Sequence, residues 1–446
     1  MTKKRVHLIC NAHIDPVWLW EWEEGAGVAL STFRTAADLC GEFDGFVFNH
    51  NEAILYEWIE EYEPTLFKRI QQLVKNGKWH IMGGWYLQPD CNMPSGESFV
   101  RQALLGRSYF QGRFGVEPRV AVNLDPFGHS RGLVQILAKS GYEAYLYCRP
   151  VLADSGLPAD EVLWEGFDGS RIYAVLGLAH YNSSLGEARS RVEAWLKDQA
   201  HRRNSALLWG VGNHGGGASR EDLRELSKLM KRADQIEICH STPEAYLKDL
   251  KKRRNKMPVH CGGINPWAVG CYTSMARVKQ RHRALESALY MTEKMAAAGA
   301  FQAGMPYPHG ALLEAEKDLA TCQFHDILPG SGIPQVEEAA LRRLDHGLQI
   351  ASLIRARAFF ALTSGQKKAG INEIPVCVYN PHPFCFETTI ECEMEREEPN
   401  WNDTFMNPEI RKGKTRLPSQ VEQESSNIAR IFESGLSSEP RSHRRA

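Results

Sequence analysis

Short apolar runs recur through the first half of the chain with amphipathic stretches between them, and this alternation constrains the fold more than any other feature. The runs are RVHLIC (5–10), GFVFN (45–49), WHIMGG (79–84), RVAVNLD (119–125), AYLYCR (144–149), RIYAVL (171–176), ALLWGVG (206–212) and IEICH (236–240). Parallel strands need a long crossover between them, and stretches such as AILYEWIEEYEPTLFKRIQQLVKNG (53–77) have the length and apolar spacing of helices that supply one. The expectation is an α/β chain, with a barrel or an open wound sheet over residues 1 to about 255. From Thr273 the pattern changes. SMARVKQRHRALESALYMTEKMAAAG (274–299) and QVEEAALRRLDHGLQIASLIRARAFFALTS (335–364) have no strand between them and suit an antiparallel helical bundle, with Gly330 and Pro334 breaking the helix between them. A third pattern begins near Lys367, where IPVCVYNPHPFCFETTIECEMER (374–396) alternates like β-strands around Asn380 and Pro381, and the tail from about Glu397 is polar.

At 446 residues the chain has room for roughly three domains. Its 53 Lys and Arg balance 54 Asp and Glu, so no charge surplus favours nucleic acid or an anionic membrane as a partner. The start, MTKKRVHLICNAHIDP, reaches His13 and Asp15 before a signal-peptide core forms, and no apolar run spans a bilayer; a cytoplasmic protein is the expectation. The 11 cysteines include no CxxC pair, which argues against a disulfide framework or a thiolate zinc site and for mostly buried apolar roles.

Three short motifs carry chemistry. In NAHIDPVW, His13 and Asp15 lie two apart just after an apolar strand, so extended geometry sends both side chains from one face at the strand's C-terminal end. One imidazole nitrogen and one carboxylate oxygen there suit zinc; the alternative is a capping Asp beside a hydrogen-bonded His. In VNLDPFGHS, Asp125 ends a strand and the turn at Pro126 and Gly128 either holds its carboxylate out into the mouth of a barrel or is itself stabilised by it, with His129 a candidate ligand. In CQFHDILPGSG, His325 and Asp326 precede a helix break and either face a neighbouring domain or lie solvated on the surface. A glycine-rich stretch, WGVGNHGGG (209–217), reads as a flexible turn or an anion cradle and lacks the Lys-Ser/Thr of a P-loop. In YLQPDCNMPSGES, Asp90 and the nearby aromatics fit wall packing as well as ligand binding.

Taken together, HIDPVW, DPFGHS and FHDILPGSG resemble the motifs of glycoside hydrolase family 38, the zinc-dependent retaining α-mannosidases, over residues 5 to about 425. The resemblance implies a (β/α)7 catalytic barrel over 1–260, a three-helix bundle over 261–366 and the incomplete start of a β-sandwich in 367–446. It further implies that His13, Asp15, Asp125 and His325 bind one Zn2+, and that Asp125 is also the nucleophile forming a glycosyl-enzyme. Trp18 resembles the aromatic under the mannose ring, Asp326 the residue bonding the sugar, and Arg149 an arginine beside the nucleophile. Other members place the acid/base Asp in the glycine-rich loop; here Asn213 and His214 stand there, so His214 or Asp90 is expected to supply the proton. The implied function is hydrolysis of terminal α-linked mannose from an oligosaccharide or mannoside. The alternatives are a truncated carbohydrate-binding relative with little activity and a metal-dependent sugar deacetylase, and a homo-oligomer stays open. Family members continue further into the sandwich, so the chain is expected to be truncated there, with an open sheet edge over 374–394 and a loose tail after about Glu397.

Overall fold

The computed structural model describes residues 4–177, 180–199, 202–233, 235–265, 267–371, 373–392 and 408–420, together with the backbone of 423–425 and 443–445. The chain divides into two compact units, residues 1–366 and 367–446.

All eight apolar runs of the first half form strands: β1 (Lys4–Cys10), β2 (Phe48–His50), β3 (Trp79–Ile81), β4 (Val120–Asn123), β5 (Ala144–Tyr147), β7 (Arg171–Leu176), β8 (Asn204–Trp209) and β9 (Ile236–His240). Two more were not anticipated, β6 (Glu161–Glu165) and β10 (Val259–His260). β6 escapes a sequence reading because it is a hairpin partner running antiparallel to β7, outside the strand-helix alternation. The helices between are α1 (Trp22–Glu42), α2 (Ala53–Tyr62), α3 (Pro64–Lys75), α4 (Gly96–Phe114), α5 (Gly132–Lys139), α6 (Leu152–Ser155), α7 (Ala188–Asp198), α8 (Arg220–Arg232) and α9 (Pro243–Lys251). The stretch 53–77 is two helices because Pro64, which cannot donate within a helix, opens α3.

The architecture is α/β followed by helices. The strands form two five-stranded sheets: β3-β2-β1-β8 with β9 also on β1, and β10-β6-β7-β5-β4. Where the family resemblance implies one seven-stranded ring, the ladders are thus divided between two sheets, and the Gly83 amide donates to the Val120 carbonyl (3.1 Å) between β3 and β4. Side-chain alternation sets what each face covers. On β5, Ala144 and Leu146 enter the large core shared with Leu8 of β1 and Leu208 of β8, whereas Tyr145 and Tyr147 enter a smaller core with Phe99 of α4 and Leu133 and Leu137 of α5. Both faces are covered, as parallel sheets require, and the C-terminal strand ends open toward the loops that carry the motifs.

The bundle comprises α10 (Ala276–Ala303), α11 (His309–Cys322) and α12 (Pro334–Thr363). Leu285, Leu289, Thr292 and Ala296 face Leu344, Ala351 and Ile354 at helical spacing, and a Cβ at Gly347 would stand 2.8 Å from Leu285. Arg101 of α4 joins the two parts, donating to Glu97 (2.8 Å), Glu293 of α10 (2.7 Å) and Glu316 of α11 (2.7 Å). Burial pushes the Glu316 carboxyl up to about 7, with the Glu293 and Glu97 charges adding to it against Arg101. Its folded value lies above the ordinary 4.5, so the proton it holds stabilises the folded state fully below 4.5, and that stabilisation is lost as pH rises through about 7. Glu316→Gln is therefore expected to flatten the pH dependence of melting between about pH 5 and 8, by about 2 °C for roughly 1 kcal/mol. Identical wild-type and variant slopes in a scanning calorimeter would refute this.

In the second unit, the strands expected over 374–396 are not formed in the described part, residues 374–392. Val378, Phe384, Phe386 and Ile390 are exposed, and the described residues 373–392 carry no ladder. Alternation alone does not make a strand, because the backbone bonds come from a partner edge. The ladders present are antiparallel pairs, β11 (Arg411–Lys412) with β12 (Thr415–Arg416) and β13 (Gln423–Ser425) with β14 (His443–Arg445). The end of the proposed open edge and much of the tail, residues 393–407, lie outside the described residues. All cysteines are free; Cys10, Cys40, Cys91, Cys148 and Cys322 are buried, but Cys261, Cys377, Cys385 and Cys392 are exposed, more than expected. Among the described residues no helix is long and apolar enough to cross a membrane.

Candidate active site

The chain leaves β1 as a buried irregular segment, Asn11 to Asp15, that carries His13 and Asp15 into the centre of the molecule. His325 and Asp326 arrive from the turns after α11, which places the bundle's contribution against the strand ends. His13 Nε2 lies 2.9 Å and His325 Nε2 3.6 Å from Asp15 Oδ1, and the two imidazoles stack 5.3 Å apart. One ligand atom from each of these three residues falls within 4.8 Å of the others. His13 Nε2, Asp15 Oδ1 and His325 Nε2 are all buried without an aligned hydrogen-bond partner. Three converging buried polar atoms without partners are what a protein ordinarily avoids, and two imidazole nitrogens with a carboxylate oxygen are a donor set that fits a divalent zinc-like ion.

Gln88 braces this set from behind. Its carbonyl accepts from His325 Nδ1 (3.1 Å); because a carbonyl only accepts, Nδ1 carries a hydrogen and Nε2 is the nitrogen that faces Asp15. Its side-chain amide touches His13 Nδ1 (3.2 Å) and donates to Glu52 (2.8 Å), while its oxygen accepts from the Leu124 amide (2.6 Å). Glu52 is fully buried in a left-handed conformation, φ 72°. Neither residue was singled out from sequence, although the polar run Asn49-His50-Asn51-Glu52 directly after a strand was a signal. Burial alone would raise Asp15, but His13 and His325 hold its carboxyl down to about 2; burial would lower His325, and Asp15, Asp326 and Asp125 push it up to about 9.

Asp125 stands beside the set, close enough for its charge to raise His325, but not as a fourth member of the cluster. Its carboxylate is ion-paired with the Arg149 Nε–H. The guanidinium also lies 4.8 Å over the Trp267 ring, and Trp267 packs against Phe127 (5.5 Å). Asp326 accepts from Ser331 Oγ (2.5 Å), and burial pushes it up to about 7. His129, weighed as a ligand, is not one of the three. Both its ring nitrogens are engaged elsewhere, Nδ1 with the Tyr145 hydroxyl (2.8 Å) and Nε2 with the Arg149 carbonyl (2.7 Å).

The glycine-rich loop lies against the end of β1. A Cβ at Gly210 would stand 2.0 Å from the Asn11 carbonyl, so glycine serves close backbone approach here rather than a flexible turn or an anion cradle. Asn213, at φ 66°, accepts from the Asp15 amide through its carbonyl (2.9 Å) and from the Tyr181 hydroxyl through Oδ1 (2.8 Å). His214 reaches the rim, half exposed, with Nε2 2.6 Å from Glu24 and its ring edge-on to Trp20 at 4.4 Å. Trp20, which donates to the Asp15 carbonyl (3.0 Å), and Glu24 are site neighbours the sequence reading passed over, although the run WLWEW was a signal. Trp18 packs edge-on to Trp20 at 5.8 Å, and its carbonyl accepts from Ile333 (2.9 Å). Asp90 is buried. Its Oδ1 accepts from the Asn92 and Met93 amides (2.9 and 2.7 Å), its Oδ2 has no partner, and burial raises its pKa.

Residues 3–263 match the description "Glycosyl hydrolases family 38 N-terminal domain", and residues 267–362 match "Alpha mannosidase middle domain". The chain belongs to glycosyl hydrolase family 38. Alpha-mannosidase G of Dictyostelium discoideum is 31% identical over 348 residues, 76% of this chain and 32% of that protein. Alpha-mannosidase 2C1 of Homo sapiens is 30% identical over 373 residues, 81% of this chain and 35% of that protein. The chain therefore spans about one third of the length of these curated relatives. In fold it is similar to an alpha-mannosidase from Enterococcus faecalis V583, with a TM-score of 0.73 at 22% identity over 81% of this chain and 43% of that one. A GH57 branching enzyme from Thermococcus kodakaraensis shares the fold more distantly, with a TM-score of 0.54 at 13% identity over 82% of this chain and 92% of that one.

Within this family 38 chain, the structure brings His13, Asp15 and His325 into one cluster, with Asp326 3.8 Å from His325 and the Asp125–Arg149 pair alongside. His214 and Trp18 lie toward the rim around Trp20, while Asp90 stays in the wall.

Proposed function

We propose that this chain carries the catalytic site of a zinc-dependent α-mannosidase that hydrolyses terminal α-linked mannose with retention. The barrel-like part, residues 1–260, supplies most of the site, and the bundle, 261–366, lends His325 and Asp326. The observation that supports this most is the convergence of three unpartnered buried donor atoms, from His13, Asp15 and His325, beside a carboxylate held by Arg149. In this reading those three residues and Asp125 hold the zinc. When bound, the ion supplies Lewis acidity and a template for sugar hydroxyls.

The chain's own groups do the rest. Trp18 offers a ring face to the apolar side of the sugar, and Asp326, held by Ser331, accepts from a sugar hydroxyl. Arg149, fixed over Trp267, orients the Asp125 carboxylate for attack on the anomeric carbon. The glycosidic oxygen leaves with a proton from His214, whose ring is held by Glu24 and Trp20; the same imidazole then takes a proton from the water that releases mannose from Asp125. Asp90, with one oxygen unpartnered, is the second candidate for that proton.

The test is hydrolysis of an aryl α-mannoside by the zinc-loaded chain, followed by proton NMR. α-Mannose is expected as the first-formed anomer; β-mannose first, or no hydrolysis by fully zinc-loaded protein, would overturn the reading.

A further inference from the structure

His129 ends the same short loop that begins with Asp125, yet it faces away from the metal-ligand set and is completely buried. The Arg149 carbonyl can only accept, so His129 Nε2 carries a hydrogen and Nδ1 accepts from the Tyr145 hydroxyl. Behind it the bonds run in one direction. Asn123 Nδ2 donates to Cys91 Sγ (2.8 Å), the Cys91 thiol lies 3.4 Å from the Tyr145 oxygen, Tyr145 donates to His129, and His129 donates to Arg149. The main chain of His129 is tied as firmly, exchanging two bonds with Ile264 (3.1 and 2.8 Å), while Ser130 bonds the Cys91 carbonyl (3.1 Å). Four loops therefore meet around His129, through its ring and its main chain: those bearing Asp125, Arg149, Asp90 with Cys91, and Ile264 with the nearby Trp267.

We propose that His129 is a positioning residue, which fixes the Arg149 main chain through its Nε2–H so that the guanidinium meets Asp125. It touches neither the sugar nor the metal-ligand set. The bond that matters is the one to the Arg149 carbonyl, because Arg149 is held from its other end by Asp125 and over its face by Trp267. Loss of that bond lets the guanidinium drift, and a misplacement of about 1 Å at a reacting pair costs about 100-fold.

The inference rests on Asp125 being the nucleophile, so its test has an arm that does not need activity. Glutamine places an amide N–H where the imidazole has Nε2–H, whereas asparagine reaches only as far as Nδ1 and phenylalanine keeps the shape with no donor. His129→Phe and His129→Asn are expected to lower kcat on an aryl α-mannoside by about 10- to 100-fold with KM changed less than about 3-fold, and His129→Gln to stay within about 3-fold of wild type. In parallel, nitrogen NMR of arginine-labelled protein should show a slowly exchanging Arg149 Nε–H in wild type and His129→Gln, and fast exchange in the other two. Equal kcat in folded His129→Asn and wild type, or an Arg149 signal unchanged across the series, overturns the proposal. An inactive wild type with the NMR pattern as expected would instead refute the nucleophile reading and leave the His129 contact established. If His129→Phe fails to fold, Tyr145→Phe removes the donor to Nδ1 together with the contact to the Cys91 thiol; it should lower kcat by about 3-fold and speed Arg149 exchange, and no change in either counts against the proposal.

Discussion

Asp125→Asn is expected to lower turnover of an α-mannoside by about 10,000-fold or more, because a neutral amide cannot attack the anomeric carbon and no second carboxylate is positioned to replace it. Three other aspartates lie nearby and differ in what holds them. Asp15 is flanked by His13 and His325, Asp326 accepts from Ser331, and Asp90 is capped by two backbone amides. Only Asp125 among these four has an arginine as its partner, which orients its carboxylate. A slow fluorinated mannosyl substrate should therefore label the peptide containing Asp125, read by mass spectrometry. Labelling at Asp15, Asp326 or Asp90, or an Asp125→Asn variant within about 10-fold of wild type, would exclude the assignment.

The second large effect concerns the metal. Wild-type protein should carry about one zinc per chain, and His13→Ala or His325→Ala should lose it, because each removes one of the three converging donor atoms. The consequence reaches beyond the reaction. His13 and Asp15 follow β1 whereas His325 follows α11, so an ion between them links strand end to bundle, and metal-free protein is left with three buried polar atoms facing one another. Free metal at about 100 times its dissociation constant would stabilise the fold by about 2.7 kcal/mol. Chelation should accordingly lower the melting temperature of wild type by several degrees and leave His325→Ala unmoved. Elemental analysis finding no metal in wild type reconstituted with zinc, with melting indifferent to a chelator, would dismiss the site.

Much of this molecule is written locally. Short, nearly continuous apolar runs mark eight strands and 3.6-residue periodicity marks the bundle, because both signals are carried by neighbouring residues and need no knowledge of partners. The motif residues were legible for a related reason: His13 with Asp15, and His325 with Asp326, are near neighbours in the chain, so one turn of backbone sets their relation. What stayed hidden depends on contacts between distant segments. Gln88 holds His325 across 237 positions, His214 meets Glu24 across 190, and β6 pairs with β7 against the parallel pattern around it. His129 and Arg149 could each be read as a ligand or a charge in isolation; tertiary folding decided that one imidazole nitrogen spends its hydrogen on the other's carbonyl. The same dependence on partners undid the strands expected over 374–396, where alternation is present in the chain but the described backbone, to residue 392, pairs with no edge. Local geometry determines which groups a segment can present, and only the folded chain determines what lies within hydrogen-bonding distance of them.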